Sequence, residues 1–186
     1  LEQLNLRKNT LIIFASDNGA AIQAPIKILN CNAGFKGRKG TLYEGGIRVP
    51  FIVNQPGMVP IQTLDNLIYF PDMMPTLAAL AKGTKHLPKQ INGINILPLF
   101  YGKQVDTDNR LLYWEFPGKQ RAARKGDWKC VTIHPNQPLE LYNLKEDPEE
   151  TNNLAKKYPR RVKEFDEEMQ RMHIPTPNWP QPGEQF

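Results

Sequence analysis

Asp17 and Asn18, side by side in the tetrad Ser16-Asp17-Asn18-Gly19, place a carboxylate next to a carboxamide. Two oxygen donors of that kind suit a hard cation, which takes several such ligands. Asp-Asn-Gly is equally a good turn former, so a plain turn stands beside the metal reading. Lys39, in Gly37-Arg38-Lys39-Gly40, is a compact point charge between glycines that could reach an anion. An ordinary solvated lysine is the alternative, and Lys36 and Arg38 are alternates for the same role. Glu44 and Arg48 flank Gly45-Gly46 and read as a structural ion pair shaping that loop, because buried charges need partners. His86, His134 and His173 lack zinc-ligand spacing and read as surface or packing residues. No Ser/His/Asp or Cys/His arrangement, phosphate-cradling glycine loop or dinucleotide fingerprint stands out. The set amounts to part of an active site: metal oxygens and a cation, with no nucleophile.

These residues need elements to hold them. Leu11 to Ala15 is an apolar run without alternation, which reads as a strand buried on both faces of a parallel sheet. In open α/β sheets ligands bind just past the carboxyl ends of such strands, where Asp17 lies. Residues 1–8 read as the last turns of a helix. Residues 19–42 form a long connection with no period, a length uncommon in compact domains unless functional or disordered. Ile47, Val49, Phe51, Ile52 and Val53 read as a second buried strand, with Pro50 near its start. Leu64 to Phe70 reads as a short strand or helix. Residues 71–82 read as a helix with an apolar face of Met73, Met74, Leu77, Leu80 and Ala81, closed by Gly83 as C-cap. Gly93 to Leu99 docks apolar side chains. Beyond residue 103, short strands around 111–116, 122–123, 128–133 and 139–144 suggest an antiparallel sheet. Residues 159–172 carry a helical seam of Val162, Phe165, Met169 and Met172. The tail from Ile174 reads as extended, with Trp179 and Phe186 able to pack.

The totals narrow the class. The 186 residues suffice for a proper core, with 40% hydrophobic and 23% charged content. No apolar run is long enough to span a bilayer, and no signal peptide is visible. The net charge of +5 is spread out, apart from Lys36, Arg38, Lys39 and the 119–129 stretch. A nucleic-acid binder shows a denser basic stripe. A positive pocket for an anionic substrate fits the spread at least as well. Cys31 and Cys130 form no metal-ligand pair by spacing.

In order along the chain, the sequence resembles the formylglycine-dependent sulfatases. The matching stretches are the strand and SDNG of Phe14 to Gly19, and KGTLYEGGIRVP of Lys39 to Pro50. They continue through Asp72 to Ala81, Gly93 to Phe100 with Asn92 in place of the usual acid, LLYWEF of Leu111 to Phe116, and RKGDWK of Arg124 to Lys129. LELYNLKEDPEETNNLA of Leu139 to Ala155 closes the set.

The resemblance implies an α/β fold, the C-terminal portion of an alkaline-phosphatase-like sandwich with a small antiparallel-sheet plus helix subdomain. It divides the chain into 1–102, part of the large domain, and 103–186, the small subdomain with its tail. Asp17 and Asn18 correspond to the last two calcium (Ca2+) ligands, and Lys39 to the catalytic lysine that contacts the sulfate. Trp114 and Glu115 resemble a segment near the substrate pocket, where Trp114 could stack on a sugar ring and Glu115 could bind a hydroxyl. The implied reaction is sulfate-ester hydrolysis, in which a formylglycine hydrate attacks sulfur while calcium polarises a sulfate oxygen. The family's Cys/Ser-x-Pro-x-Arg motif and first Asp pair are not in these residues, so the expectation is a C-terminal fragment, inactive alone. Expected partners are a sulfated small molecule or glycan and the N-terminal half of the enzyme, or self-association. No nucleic acid and no transmembrane segment are expected, and a periplasmic or secreted location is. The alternatives are a phosphodiesterase or phosphonate hydrolase of the same architecture, or a non-catalytic carbohydrate-binding remnant.

Overall fold

A computed structural model describes residues 1–23, 26–116, 120–134, 136–178, 180 and 184–185. In chain order the elements are β1 (Ile12–Ala15), α1 (Ile26–Leu29), α2 (Glu44–Ile47), β2 (Phe51–Asn54), α3 (Met73–Leu80), α4 (Leu97–Phe100), β3 (Leu111–Phe116), β4 (Gln120–Lys125), β5 (Trp128–Thr132), β6 (Glu140–Asn143) and α5 (Pro159–Met172). They group into two compact units, Leu1–Ala15 with Pro50–Asn109, and Ser16–Val49 with Arg110–Phe186.

In the first unit β1 pairs antiparallel with β2, with Ile13 opposite Val53 and Phe14 opposite Ile52. This corrects the expectation of a strand buried on both faces in a parallel sheet. Ile13, Phe51 and Val53 pack against Ile96, Leu99 and Phe100. Phe14 is 61% exposed and Ile52 58%. A run without alternation puts apolar groups on both faces, but burial of both needs two covering layers. Ile47 is not in the second strand. It ends the helical turn α2, where Arg48 N–H donates to Glu44 O at 2.7 Å.

Residues 1–8 are not the end of a helix but turns leading to a 3-10 turn at Arg7–Asn9. Leu1, Leu4 and Leu6 are all exposed, and a short helix without packing does not hold in water. Residues 64–69 form neither strand nor helix. Side chains hold that segment instead of a ladder: Leu67 N–H donates to Thr107 Oγ1 at 3.0 Å, and Asn66 Nδ2 to Val105 O at 3.3 Å.

A helix does form within 71–82, but its buried residues are Pro75 and Thr76, while Met74, Leu77 and Leu80 of the expected apolar face are exposed. The start of α3 is tied down by Asp72, whose carboxylate accepts Tyr69 N–H at 3.0 Å and Ile94 N–H at 2.9 Å. Its end is a Schellman motif, with Gly83 N–H to Ala78 O at 2.7 Å and Lys82 N–H to Ala79 O at 3.1 Å. Lys82, at φ 56°, takes the left-handed position expected for Gly83, whose φ is −105°. The Gly93 to Leu99 segment docks as expected, burying Ile96 and Leu99.

The second unit holds the antiparallel sheet in the order β3-β4-β5-β6. Alternation along its strands gives it two apolar faces. Ala123, Cys130 and Leu141 pack against Phe165 and Met169 of α5, the expected seam. Ala122, Val131 and Tyr142 pack against Leu42, Tyr43 and Leu144. The segment that carries Lys39 and Glu44 is thereby seated through Leu42 and Tyr43 on the sheet face opposite α5. Lys119, Trp179 and Phe186 lie outside the described residues.

Candidate anion and cation site

The Ser16–Gly19 turn is built by its own side chains. Ser16 Oγ donates to Asn18 O at 2.8 Å, and Asn18 Nδ2 to Asp17 Oδ1 at 2.6 Å. Asp17 is exposed and Asn18 half-buried. Two backbone bonds then join this turn to the Lys39 region: Gly19 N–H donates to Gly46 O, and Lys39 N–H to Ala20 O, both at 2.9 Å.

Glycine is what lets these chains approach. A Cβ on Gly19 would lie 1.9 Å from Gly45 O, and one on Gly46 would lie 2.0 Å from Thr41 O. Residues 36–41 are pinned as well. Gly45 N–H donates to Lys36 O at 2.7 Å, and Thr41 Oγ1 to Arg38 O at 2.9 Å. From β4, Gln120 Nε2 donates to Gly40 O at 2.9 Å, and Leu42 N–H reaches Gln120 Oε1 at 3.3 Å. Lys39 is thus an exposed cation on a loop fixed from both sides.

The alternates to Lys39 divide. Arg38 is exposed. Lys36 is engaged within the fold: its Nζ lies 2.9 Å from Tyr142 Oη, 3.4 Å from Glu140 Oε2 and 4.0 Å from the Tyr43 ring centre. Tyr43 and Tyr142 hydroxyls also donate to Glu140, at 2.7 and 2.6 Å. Burial pushes the Glu140 carboxyl up, but those hydroxyls and Lys36 together outweigh it and hold the group below its ordinary value. Burial first, then the Glu140 contact, raises both tyrosines.

Glu44 pairs with Arg48 at 3.7 Å, and also with Arg124 at 3.6 Å and with the wholly buried Lys129 at 2.9 Å. Lys129 reaches Glu150 at 2.9 Å as well. Lys129 and Glu150 lie 85 and 106 residues from Glu44, separations that no local sequence pattern spans. Glu115, at the end of β3, accepts from Tyr113 Oη and lies 2.6 Å from His173 Nδ1, whose Nε2 lies 2.6 Å from Glu184. The expected surface or packing role for His173 is therefore replaced by a bridge between two carboxylates. Trp114 packs against the Leu42–Tyr43 side of the sheet. Cys31 and Cys130 are free thiols. Burial pushes the Cys130 thiol up to about 12, which removes it as a nucleophile.

Backbone bonds at Gly19 and Ala20 link the segment after the Asp17-Asn18 turn to the Lys39 region, and Glu115 and Trp114 lie on a separate strand. Asp17 and Asn18 supply hard oxygen donors of the type calcium takes. Calcium takes six to eight oxygens, and among the described residues no group of three or more acidic, histidine or cysteine side chains could hold a metal ion.

Residues 35–174 match the family described as N-sulphoglucosamine sulphohydrolase, C-terminal. The chain belongs to the formylglycine-dependent sulfatases, in their C-terminal region. A sulfatase of Formosa agariphila is 32% identical over 83% of this chain and 30% of its own length. An N-acetylgalactosamine-6-O-sulfatase of Bacteroides thetaiotaomicron is 30% identical over 90% of this chain and 37% of its own length. The chain therefore spans about a third of the length of these relatives. A Bacteroides thetaiotaomicron structure described under the metabolism of multiple glycosaminoglycans superposes with a TM-score of 0.80 at 30% identity, covering 92% of this chain and 40% of that one. Ps i-CgsB in complex with k-i-k-neocarrahexaose gives 0.78 at 26% identity, over 98% and 41%. The fold is α/β and matches the sulfatase, alkaline-phosphatase-like sandwich. Among the described residues, no helix is long and apolar enough to cross a membrane.

Proposed function

We propose that the protein carrying this sequence is a sulfuric ester hydrolase acting on a sulfated glycan, and that Asp17, Asn18 and Lys39 are this chain's share of its active site. The observation that carries the reading is the pair of bonds from Gly19 to Gly46 and from Lys39 to Ala20, which ties the oxygen donors to the cation. Asp17 and Asn18 hold a calcium ion through the carboxylate and the carboxamide oxygen. When bound, calcium supplies concentrated positive charge against a sulfate oxygen. Lys39 places its ammonium on the sulfate and offsets the charge that grows on the departing oxygen. Its loop is already ordered by Gln120 and Thr41, so little reorganisation accompanies substrate binding. The nucleophile, formylglycine in this reading, lies outside the 186 residues. In this reading Trp114, on the sheet face that carries Leu42 and Tyr43, lines the approach, while Glu115 is engaged by Tyr113 and His173 on the α5 face. The glycan preference is supported by a relative named N-acetylgalactosamine-6-O-sulfatase.

The test uses the full-length protein, calcium calorimetry and a panel of sulfated sugars and aryl sulfates. Asp17→Ala lowers calcium affinity and turnover, and Lys39→Ala lowers kcat/KM while calcium affinity stays. An unchanged calcium isotherm and turnover in Asp17→Ala would remove Asp17 from the metal site. Hydrolysis of phosphate diesters in preference to sulfate esters would overturn the reaction class.

A further inference from the structure

Three ionisable side chains lie fully inside the second unit and take no part in the proposed chemistry: Glu44, Lys129 and Glu150, at 2%, 0% and 1% exposure. Burying charge is costly, and apolar residues of similar volume often stabilise a core as well or better. The geometry of these three has a direction. Lys129 Nζ sits 2.9 Å from Glu44 Oε1 and 2.9 Å from Glu150 Oε1. The other oxygen of Glu150 accepts the Glu44 backbone N–H at 2.7 Å. Glu44 is therefore held by both its side chain and its main chain, at the first residue of α2.

The next two residues are Gly45 and Gly46. Gly45 N–H holds the Lys39 loop through Lys36 O, and Gly46 O accepts Gly19 N–H from the Asp17-Asn18 turn. Glu150 itself sits at φ 56°, a conformation that disfavours a non-glycine residue. Asp147 stabilises that turn by accepting Thr151 N–H at 3.0 Å and Asn152 N–H at 2.8 Å. Strain of this kind persists where the surroundings over-determine it.

We propose that Lys129 and Glu150 are positioning residues for the calcium and sulfate site, acting through Glu44 and the Gly45-Gly46 turn to set the Asp17-Asn18 turn against the Lys39 loop. The inference rests on the site reading above. Neither residue touches the metal or the substrate. Burial raises the Glu150 carboxyl, and Lys129 and the Glu44 backbone N–H counter it only in part.

The test is made in the full-length protein, with calcium calorimetry and steady-state kinetics well below the melting temperature. Glu150→Gln keeps an acceptor for the Glu44 N–H and removes the charge facing Lys129. The expected result is a folded protein whose calcium affinity falls about tenfold and whose KM rises, the effect seen for residues that orient metal ligands from behind. The double variant Lys129→Met with Glu150→Gln removes the buried cation with one of its carboxylates, leaving Glu44 to Arg48 and Arg124. It is expected to melt above Lys129→Met alone while calcium affinity stays low. A folded Glu150→Gln with wild-type calcium affinity and KM would overturn the proposal. So would a double variant that recovers both melting temperature and calcium affinity. Asp17→Ala, run alongside, separates the two readings. If it leaves calcium binding intact, the site is misplaced; if it weakens binding and Glu150→Gln does not, only the positioning role fails.

Discussion

Replacing Gly19 with alanine strikes the contact that joins the oxygen donors to the rest of the second unit. The new methyl would sit 1.9 Å from Gly45 O, 2.8 Å from Gly45 C and 3.0 Å from Gly46 Cα. All three atoms are backbone, so no side chain can rotate away. To restore contact, the turn must withdraw by roughly 1 Å or more. That displacement breaks the 2.9 Å bond from Gly19 N–H to Gly46 O. Overpacking of this kind costs about 1–3 kcal/mol, and the lost hydrogen bond costs about 1 kcal/mol. The sum, about 2–4 kcal/mol, corresponds to a fall in Tm of roughly 5–15 °C for about 150–250 cooperatively unfolding residues, and less in a longer protein. The assay is thermal unfolding by circular dichroism, followed by calcium calorimetry on the folded variant. Destabilisation together with weakened calcium binding is the expected pair. A Tm within about 2 °C of the parent, with the same calcium isotherm, would refute the close approach itself. The φ of Gly19 lies outside the left-handed region, so the effect would come from space and not from backbone preference.

His173→Gln removes a bridge between Glu115 and Glu184, whose side chains are 17% and 19% exposed. Burial lowers the His173 value, but the two carboxylate contacts outweigh it and raise the group above its ordinary 6.5. A raised histidine stabilises the fold fully below 6.5 while the carboxylates stay ionised, and that stability is lost as pH climbs through the raised value. The variant should therefore lose about 2 kcal/mol in mildly acidic buffer and progressively less as the pH rises. Urea melts of both proteins across that range check it, and a pH-independent difference would contradict the charged bridge. Asp72→Ala leaves the N–H groups of Tyr69 and Ile94 without their buried acceptor. A loss of about 3 kcal/mol in chemical denaturation is expected, and a loss under about 1 kcal/mol would show that the α3 start does not depend on it.

Local pattern carried the second unit's sheet and α5. Alternation within 111–144 depends on neighbours two apart, and the Phe165–Met169 seam on neighbours four apart, so both are written in short stretches of chain. The SDNG turn and Lys39 were legible as residue types, and their place in a sulfatase as an ordered set of motifs. Tertiary structure alone decided the rest. The run from Leu11 to Ala15 specifies apolarity, whereas the direction of its partner and the layer that covers it lie elsewhere in the chain. Met74, Leu77 and Leu80 have helical spacing, yet only packing determines which side of α3 is covered. The bridge from Glu115 to His173 joins residues 58 positions apart, and the bond from Glu44 N–H to Glu150 joins residues 106 apart. No periodicity spans such separations. The sequence by itself therefore determined which groups could bind a cation and an anion. Only the folded chain decided that glycines without side chains let the Asp17-Asn18 turn and the Lys39 segment bond through their backbones, and that Glu44, Lys129 and Glu150 share one buried cluster.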